Sequence, residues 1–216
     1  MSTKKDVYSY SPLSDRGNIR LLRLMASEEG DIRVQIFQYP LRESDHQEIH
    51  LYEALSYVWG SELSLKPIYV GSDNDNDNDS RCFPVTANLY AALLRLRDRF
   101  LPRILWVDAV CINQQDNDEK GFQVQRMAKI YASASRVVVW LGDPGNPGGA
   151  GGDEALQILR RLGEGQSVSS SDAVSDRATQ PSVDMADRQA VHALFERPWF
   201  QRMWVRQSAL SSLGLP

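Results

Sequence analysis

A carboxylate and two side-chain amides follow a short apolar segment in the middle of the chain. Residues Ile104–Val107 predict a strand, Asp108 comes directly after it, and Asn113 and Gln114 lie on the loop that follows. Open α/β sheets bind ligands at the carboxyl ends of their strands, so Asp108 is a candidate catalytic residue, although it could equally hold its own loop. The two amides are uncharged hydrogen-bonding groups, suited to orienting a polar ligand or to capping the next helix.

An acidic run at Asp73–Asp79, with the sequence DNDNDND, invites a calcium interpretation. Its first three aspartates match positions 1, 3 and 5 of an EF-hand loop. The glycine of that loop is replaced by Asn78, however, and its final glutamate by Pro84. Because both changes remove an essential part of the calcium loop, the run is interpreted as an acidic loop tip.

Histidine and cysteine side chains form no recognisable metal or nucleophile pattern. His46 and His50 stand four residues apart, but Glu48 comes one place too late for the zinc-protease motif, and the segment predicts a connection between strands. Cys111 has no histidine in a recognisable partner motif, so it is interpreted as a buried structural thiol. The sequence therefore predicts no metal site and no bound cofactor.

Composition is that of a soluble globular protein. The chain has 216 residues, of which 42% are hydrophobic and 24% charged, enough for one sizeable core. The net charge of −4 argues against a nucleic-acid-binding surface, because neutralising phosphates requires clustered lysine and arginine. The two cysteines, the absence of a signal peptide and the lack of an apolar run that could span a membrane predict a cytoplasmic location.

The strands that must position Asp108 are predicted from hydrophobic periodicity. Ile19–Leu24 and Ile32–Tyr39 flank a turn and predict an N-terminal β-hairpin. Further strands are predicted at Leu51–Trp59, Pro67–Val70, Ile104–Val107 and Arg136–Leu141. The last of these is so apolar that it is expected to lie in the middle of a sheet, buried on both faces.

Helices are predicted between and after these strands. Thr86 is the expected N-cap of a helix whose apolar stripe runs through Leu89, Leu93, Leu96 and Phe100. The other helices are predicted at Glu119–Ala132, Asp153–Leu162 and Met185–Phe195. Strands that alternate with helices at this spacing predict an α/β fold with a mainly parallel sheet and flanking helices.

The chain is predicted to form one domain at residues 19–210, between an N-terminal tail at 1–18 and a C-terminal tail at 211–216. Two stretches, at about 72–80 and 143–183, are rich in Asp and Asn or in Gly and Ser and predict flexible insertions.

Three segments contain uncommon residue types in a particular order. They are YEALSYVWG at Tyr52–Gly60, LWVDAVCINQQ at Leu105–Gln115 and RPWFQRMWVRQ at Arg197–Gln207. Together they resemble the HET domain, a family of fungal proteins that trigger cell death when genetically unlike hyphae fuse. This resemblance runs from about Ile19 to Gln207 and implies a non-self-recognition effector that self-associates or meets a protein partner.

The HET family is in turn distantly similar to TIR domains, which implies a TIR-like, flavodoxin-like sheet. Many TIR domains cleave the nicotinamide–ribose bond of NAD, and a glutamate carboxylate stabilises the positive charge that develops on the ribose. MWVRQSAL resembles the TIR stretch that carries this glutamate. HET domains usually have Gln-Glu there, whereas this chain has Gln207-Ser208.

The resemblance and the residue types together give one set of candidate site residues. The catalytic candidates are Asp108 and Ser208, the latter at the position of the expected glutamate. The ligand-binding candidates are Ser56, Tyr57, Trp59, Gly60, Asn113, Gln114, Arg202 and Gln207. Three functions stay open: an effector module, an NAD glycohydrolase that is either active or disabled by Ser208 and has NAD as its substrate, and a silent truncated decoy.

Overall fold

The computed structural model describes residues 6–41, 50–71, 80–143, 152–164 and 185–202. The chain divides into two compact units, Met1–Trp140 and Leu141–Pro216, and each is described by itself. The predictions for Asp73–Asp79, His46, Gln207 and Ser208 lie outside the described residues, as do most of the two predicted insertions. No helix within the described ranges is long and apolar enough to cross a membrane.

The first unit is built on a seven-stranded sheet. Its strands are β1 (Asn18–Leu24), β2 (Arg33–Pro40), β3 (His50–Tyr57), β4 (Leu65–Val70), β5 (Arg81–Thr86), β6 (Arg103–Trp106) and β7 (Ala134–Trp140). They lie in the order β5-β4-β2-β1-β6-β3-β7. β5 is a strand that the sequence did not predict. Its last residue, Thr86, is also the predicted N-cap of a helix, and this helix pattern was the dominant feature of the segment.

The sheet is mixed, so the prediction of a mainly parallel sheet was wrong. The pairs β2–β4, β3–β6 and β3–β7 are parallel, whereas β1–β2, β1–β6 and β4–β5 are antiparallel. The reason is the N-terminal hairpin, which is confirmed as β1–β2 and joins the sheet through an antiparallel pairing of β1 with β6. The α/β class with flanking helices is confirmed, and the TIR-like arrangement stays a prediction.

Four helices belong to this unit: α1 (Ala87–Leu96), α2 (Asp108–Cys111), α3 (Asn117–Gln125) and α4 (Met127–Ser133). Thr86 caps α1 as predicted, and its hydroxyl accepts the Leu89 N–H at 3.3 Å. Phe100 is not on α1, because the Asp98 carboxylate accepts the N–H groups of Phe100 and Leu101 in a separate turn. The helix predicted at Glu119–Ala132 is interrupted at Arg126, which ends α3 and begins α4.

The strand buried on both faces is β1 rather than β7. Residues Ile19 to Leu22 of β1 are all at most 3% exposed, and Leu105 and Trp106 of β6 beside them are fully buried. β7 lies at the end of the strand order, and its Val137 and Val139 are 47% and 41% exposed. The prediction of a central position for β7 was therefore wrong, because a β-branched apolar run also suits an edge strand whose partner lies on one side only.

The second unit contains α5 (Gly152–Gly163) and α6 (Met185–Phe195), which contact each other. Both helices were predicted. Residues 197–202, the described part of the third motif, follow α6 as a turn. The Phe200 ring lies 5.0 Å from the rings of Phe195 and Trp199 between centroids. Trp199 and Phe200 thus form packing contacts in this unit.

A buried ion pair links β1 to α3. The Arg20 and Glu119 side chains are 3% and 11% exposed, and the guanidinium donates to both carboxylate oxygens, with Nη2 to Oε2 at 3.0 Å. Arg20 also donates to the Ser11 carbonyl at 2.7 Å, and Glu119 accepts the Asn113 N–H at 2.9 Å. The pair therefore fixes the N-terminal segment and the loop after α2 as well as the two elements that carry it.

Removing one partner of this pair is expected to be more destabilising than removing both. Glu119→Ala leaves a buried guanidinium without its carboxylate and should lower the free energy of unfolding by about 3–5 kcal/mol. The double variant Arg20→Met/Glu119→Leu, which removes both charges, should lose less than this single variant. Urea denaturation measures the free energies of unfolding of the wild type and of these two variants.

Glu28→Ala provides the matched control, since Glu28 pairs with Arg99 at 2.8 Å while both side chains are about 60% exposed. This change should cost less than about 1 kcal/mol. An equal loss in Glu119→Ala and Glu28→Ala would contradict the structural role of the buried pair.

Candidate functional site

Three parallel strands end at one edge of the sheet, and the first two motifs meet there. Tyr57 at the end of β3 is opposite Trp140 at the end of β7, and Ala54 is opposite Trp106 at the end of β6. Trp59 and Gly60 follow β3, and Asp108 begins α2 after β6. The structure thus brings the candidates from two motifs to the carboxyl edge, where α/β sheets bind ligands.

Asp108 holds this edge together. Its carboxylate is buried, with Asp108 8% exposed, and Oδ2 accepts the Trp59 indole N–H at 2.8 Å. Oδ1 accepts the Ala109 N–H at 2.8 Å in the first turn of α2. Because both oxygens are hydrogen-bonded within the chain, these contacts favour the loop-holding role over direct attack on a ligand.

The Tyr57 hydroxyl is buried beside the same carboxylate. Burial raises the pKa of Tyr57, and the neighbouring Asp108 carboxylate raises it further, so the phenol is neutral at physiological pH. Ser56, the preceding candidate, is 2% exposed and lies inside the sheet. Among the candidates in the first motif, Ser56 and Tyr57 are buried, and only Trp59 and Gly60 are partly or fully exposed.

Asn88 is a site residue that the sequence did not reveal. Its amide donates to the Val58 carbonyl at 2.5 Å and accepts the Trp140 indole N–H at 2.9 Å, so it joins the ends of β3 and β7 to α1. Gly60 has a φ of +79°, and a Cβ there would lie 3.3 Å from the Asn88 Cβ. Glycine is required at this turn for both reasons. The sequence offered one indication of a role for Asn88, namely that it is a polar residue just after the predicted N-cap Thr86.

Asn113 and Gln114 lie on the loop between α2 and α3, and this loop is tied to Asp108. The Gln114 amide donates to the Asp108 carbonyl at 3.0 Å, and Asn113 Oδ1 accepts the Gln115 N–H at 3.2 Å. The cap of α3 is Asp116, whose Oδ1 accepts the Asp118 and Glu119 N–H groups. The helix-capping alternative for the two amides was therefore wrong.

A pocket of about 440 Å³ lies beside this loop. Its lining includes Tyr8, Tyr10, Phe83, Asn113, Gln114 and Gln115. Both predicted ligand-binding amides thus face one cavity, together with aromatic rings from β5 and from the segment assigned to an N-terminal tail. That segment is anchored, because Tyr8 N–H donates to the Cys82 carbonyl at 2.9 Å and the Tyr10 hydroxyl donates to the Val110 carbonyl at 2.8 Å. The one sequence feature that could have indicated this anchored segment was the pair of aromatic residues at Tyr8 and Tyr10.

Cys111 is a buried thiol, as predicted. Burial raises its pKa to about 12, although the Val107 N–H donates to Sγ at 3.3 Å and partly offsets that rise. At neutral pH the thiol is therefore protonated and a poor nucleophile.

The candidates of the third motif lie outside the first unit. Arg202 belongs to the second unit, and Gln207 and Ser208 lie outside the described ranges. The site that can be described is thus the carboxyl edge of the first unit with its adjoining pocket.

Asp108→Asn tests the loop-holding role. Asparagine keeps one acceptor oxygen, so either the Trp59 indole or the Ala109 N–H loses its partner. We expect the free energy of unfolding to fall by about 1–3 kcal/mol, the cost of leaving one buried donor unsatisfied. Urea denaturation measures this change, and an unchanged value would contradict the role. Glu28→Ala is again the surface control.

Comparison with known proteins places the chain. Residues 52–208 match the family model described as heterokaryon incompatibility protein (HET). Heterokaryon incompatibility protein 6, OR allele, from Neurospora crassa is 34% identical over 184 residues, which cover 72% of this chain and 27% of that protein. No solved structure matches the chain. The family match covers more than half of the sequence and includes all of the first two motifs, and on this evidence the chain belongs to the heterokaryon incompatibility (HET) family.

Proposed function

We propose that this chain is the effector domain of a fungal non-self-recognition response, and that it arrests growth or kills the cell in which it is activated. The observation that carries the proposal is the match to the HET family over residues 52–208. The similarity to heterokaryon incompatibility protein 6 supports it as well. The chain spans about a quarter of that relative's length, so the proposal concerns the effector step and not the recognition of non-self.

The carboxyl edge of the first unit is the part of the molecule that we assign to this function. Asp108, Trp59 and Asn88 connect the ends of β3, β6 and β7 through side-chain hydrogen bonds. Such a network gives an edge a single arrangement that a partner can recognise. We propose that the domain acts in the cytoplasm, through a TIR-like arrangement, by self-association or by contact with a protein partner.

Inducible expression in a filamentous fungus tests the proposal. Hyphal extension should stop after induction of the wild-type chain and after induction of Glu28→Ala, which changes only an exposed ion pair. Trp106→Asp, which puts a charge into the fully buried core, should not stop growth because the domain does not fold. Normal growth in cells that contain abundant, folded wild-type chain would contradict the proposal.

A second candidate function is cleavage of NAD at the nicotinamide–ribose bond. The observation in its favour is a pocket with two side-chain amides beside a carboxylate-bearing loop at the carboxyl edge of parallel strands. In such a reaction nicotinamide departs, positive charge develops on the ribose, and a preorganised carboxylate stabilises it. The resemblance to TIR domains implies that this carboxylate stands at position 208, where this chain has serine.

Purified wild-type chain and Ser208→Glu should therefore differ in nicotinamide release from NAD. We expect turnover by Ser208→Glu that exceeds the wild-type rate by about 10²–10³-fold, the usual effect of one preorganised electrostatic group. Ser208→Gln is the matched control, because it has the size of glutamate without its charge. Equal rates in Ser208→Glu and Ser208→Gln, or no release by any variant, would count against the glycohydrolase.

A further inference from the structure

We propose that the pocket beside the Asn113–Gln115 loop binds an uncharged, planar heteroaromatic ring with hydrogen-bonding edges, such as the base of a nucleoside. Its volume of about 440 Å³ falls in the range of small-molecule sites. This inference goes beyond the proposed function. It concerns binding alone, and it holds whether or not the chain arrests growth or cleaves NAD.

Three aromatic rings form one side of the pocket. The centroids of Tyr8 and Tyr10 are 5.2 Å apart, and the Phe83 ring lies 5.9 Å from Tyr8 and 6.0 Å from Tyr10. Such a cluster offers both ring faces and ring edges to a flat ligand. Planar heterocycles bind to these surfaces by stacking, whatever their exact substitution.

The aromatic side is rigid before any ligand arrives. The Tyr10 hydroxyl is bonded to the Val110 carbonyl, and the buried Arg20 guanidinium lies 4.9 Å from the centre of the Tyr10 ring. Tyr8 is held by its backbone bond to Cys82, whose own N–H donates to the Asp6 carbonyl at 2.8 Å. A preorganised wall keeps the entropic cost of binding low.

The loop residues of the lining present hydrogen-bonding groups. Gln114 uses its Nε2 on the Asp108 carbonyl, and Asn113 uses its Oδ1 on the Gln115 N–H. Within the described residues, Gln114 Oε1 and Asn113 Nδ2 have no hydrogen bond in the chain. One acceptor and one donor thus remain, and these are the two kinds of group that can pair with the polar edge of a nucleobase.

The lining is electrically neutral. None of the described residues that line the pocket has a formal charge, and burial raises the pKa of Tyr8 and of Tyr10, which keeps both phenols protonated. No described lining residue can therefore form an ion pair with a phosphate group. We therefore infer that the pocket prefers a nucleoside to the corresponding nucleotide.

Titration of the isotopically labelled full chain with adenosine tests this inference. The side-chain amide resonances of Asn113 and Gln114 should shift with a dissociation constant below about 1 mM, and AMP should bind no more tightly than adenosine. Tyr8→Leu removes one ring while keeping the backbone pairing, and should weaken binding about tenfold or more, as expected when one stacking contact is lost. Asn113→Asp, which keeps the acceptor for the Gln115 N–H and removes the donor, should also weaken binding.

Phe100→Leu is the matched control, since it removes an aromatic ring that is 76% exposed and does not line the pocket. It should bind adenosine like the wild type. Thermal melting of each variant establishes that it is folded, and Asn113→Asp decides the matter if Tyr8→Leu does not fold. No shift of the two amides up to the solubility limit of adenosine, or unchanged affinity in Asn113→Asp, would overturn the proposal, as would much tighter binding of AMP.

Discussion

The first unit depends on the buried ion pair between Arg20 and Glu119. Two charges withdrawn from water cost several kcal/mol each, and this cost is offset only if their remaining hydrogen-bonding capacity is satisfied. Here the guanidinium also donates to the Ser11 carbonyl, and the carboxylate also accepts the Asn113 N–H. The hydrogen bonds that offset the cost of burying the two charges therefore fix four parts of the chain: β1, α3, the N-terminal segment and the loop after α2.

This arrangement extends to the carboxyl edge through hydrogen bonds rather than through further charges. The loop fixed by Glu119 contains Gln114, whose amide holds the Asp108 carbonyl, and Asp108 in turn holds the Trp59 indole. Arg20 stabilises the other wall of the pocket by lying against the Tyr10 ring. The Arg20–Glu119 ion pair thus positions both the aromatic residues and the amide loop that line the pocket. This explains how a loop and an N-terminal segment can form an ordered cavity.

The features predicted correctly from the sequence depend on neighbours close along the chain. The β1–β2 hairpin, the Thr86 cap and the strand β6 that precedes Asp108 all follow from local periodicity and local side-chain chemistry. The error about β7 concerns what lies beside a strand, because periodicity does not distinguish an edge position from a central one. Asn88 and Tyr10 were missed for the same reason, because their partners Trp140 and Val110 are 52 and 100 residues away.

The role of Asp108 shows why a motif and its chemistry should be judged separately. An aspartate at the carboxyl end of a strand suggests catalysis, yet here its two oxygens are occupied by an indole and a backbone N–H. Among the described residues, a ligand in the adjoining pocket would meet amides and aromatic rings rather than a charged side chain. The first two motifs therefore account for how the carboxyl edge is held together. The charge-stabilising carboxylate that the resemblance to TIR domains implies is expected at position 208, where this chain has serine, so the proposed catalysis turns on that position rather than on Asp108.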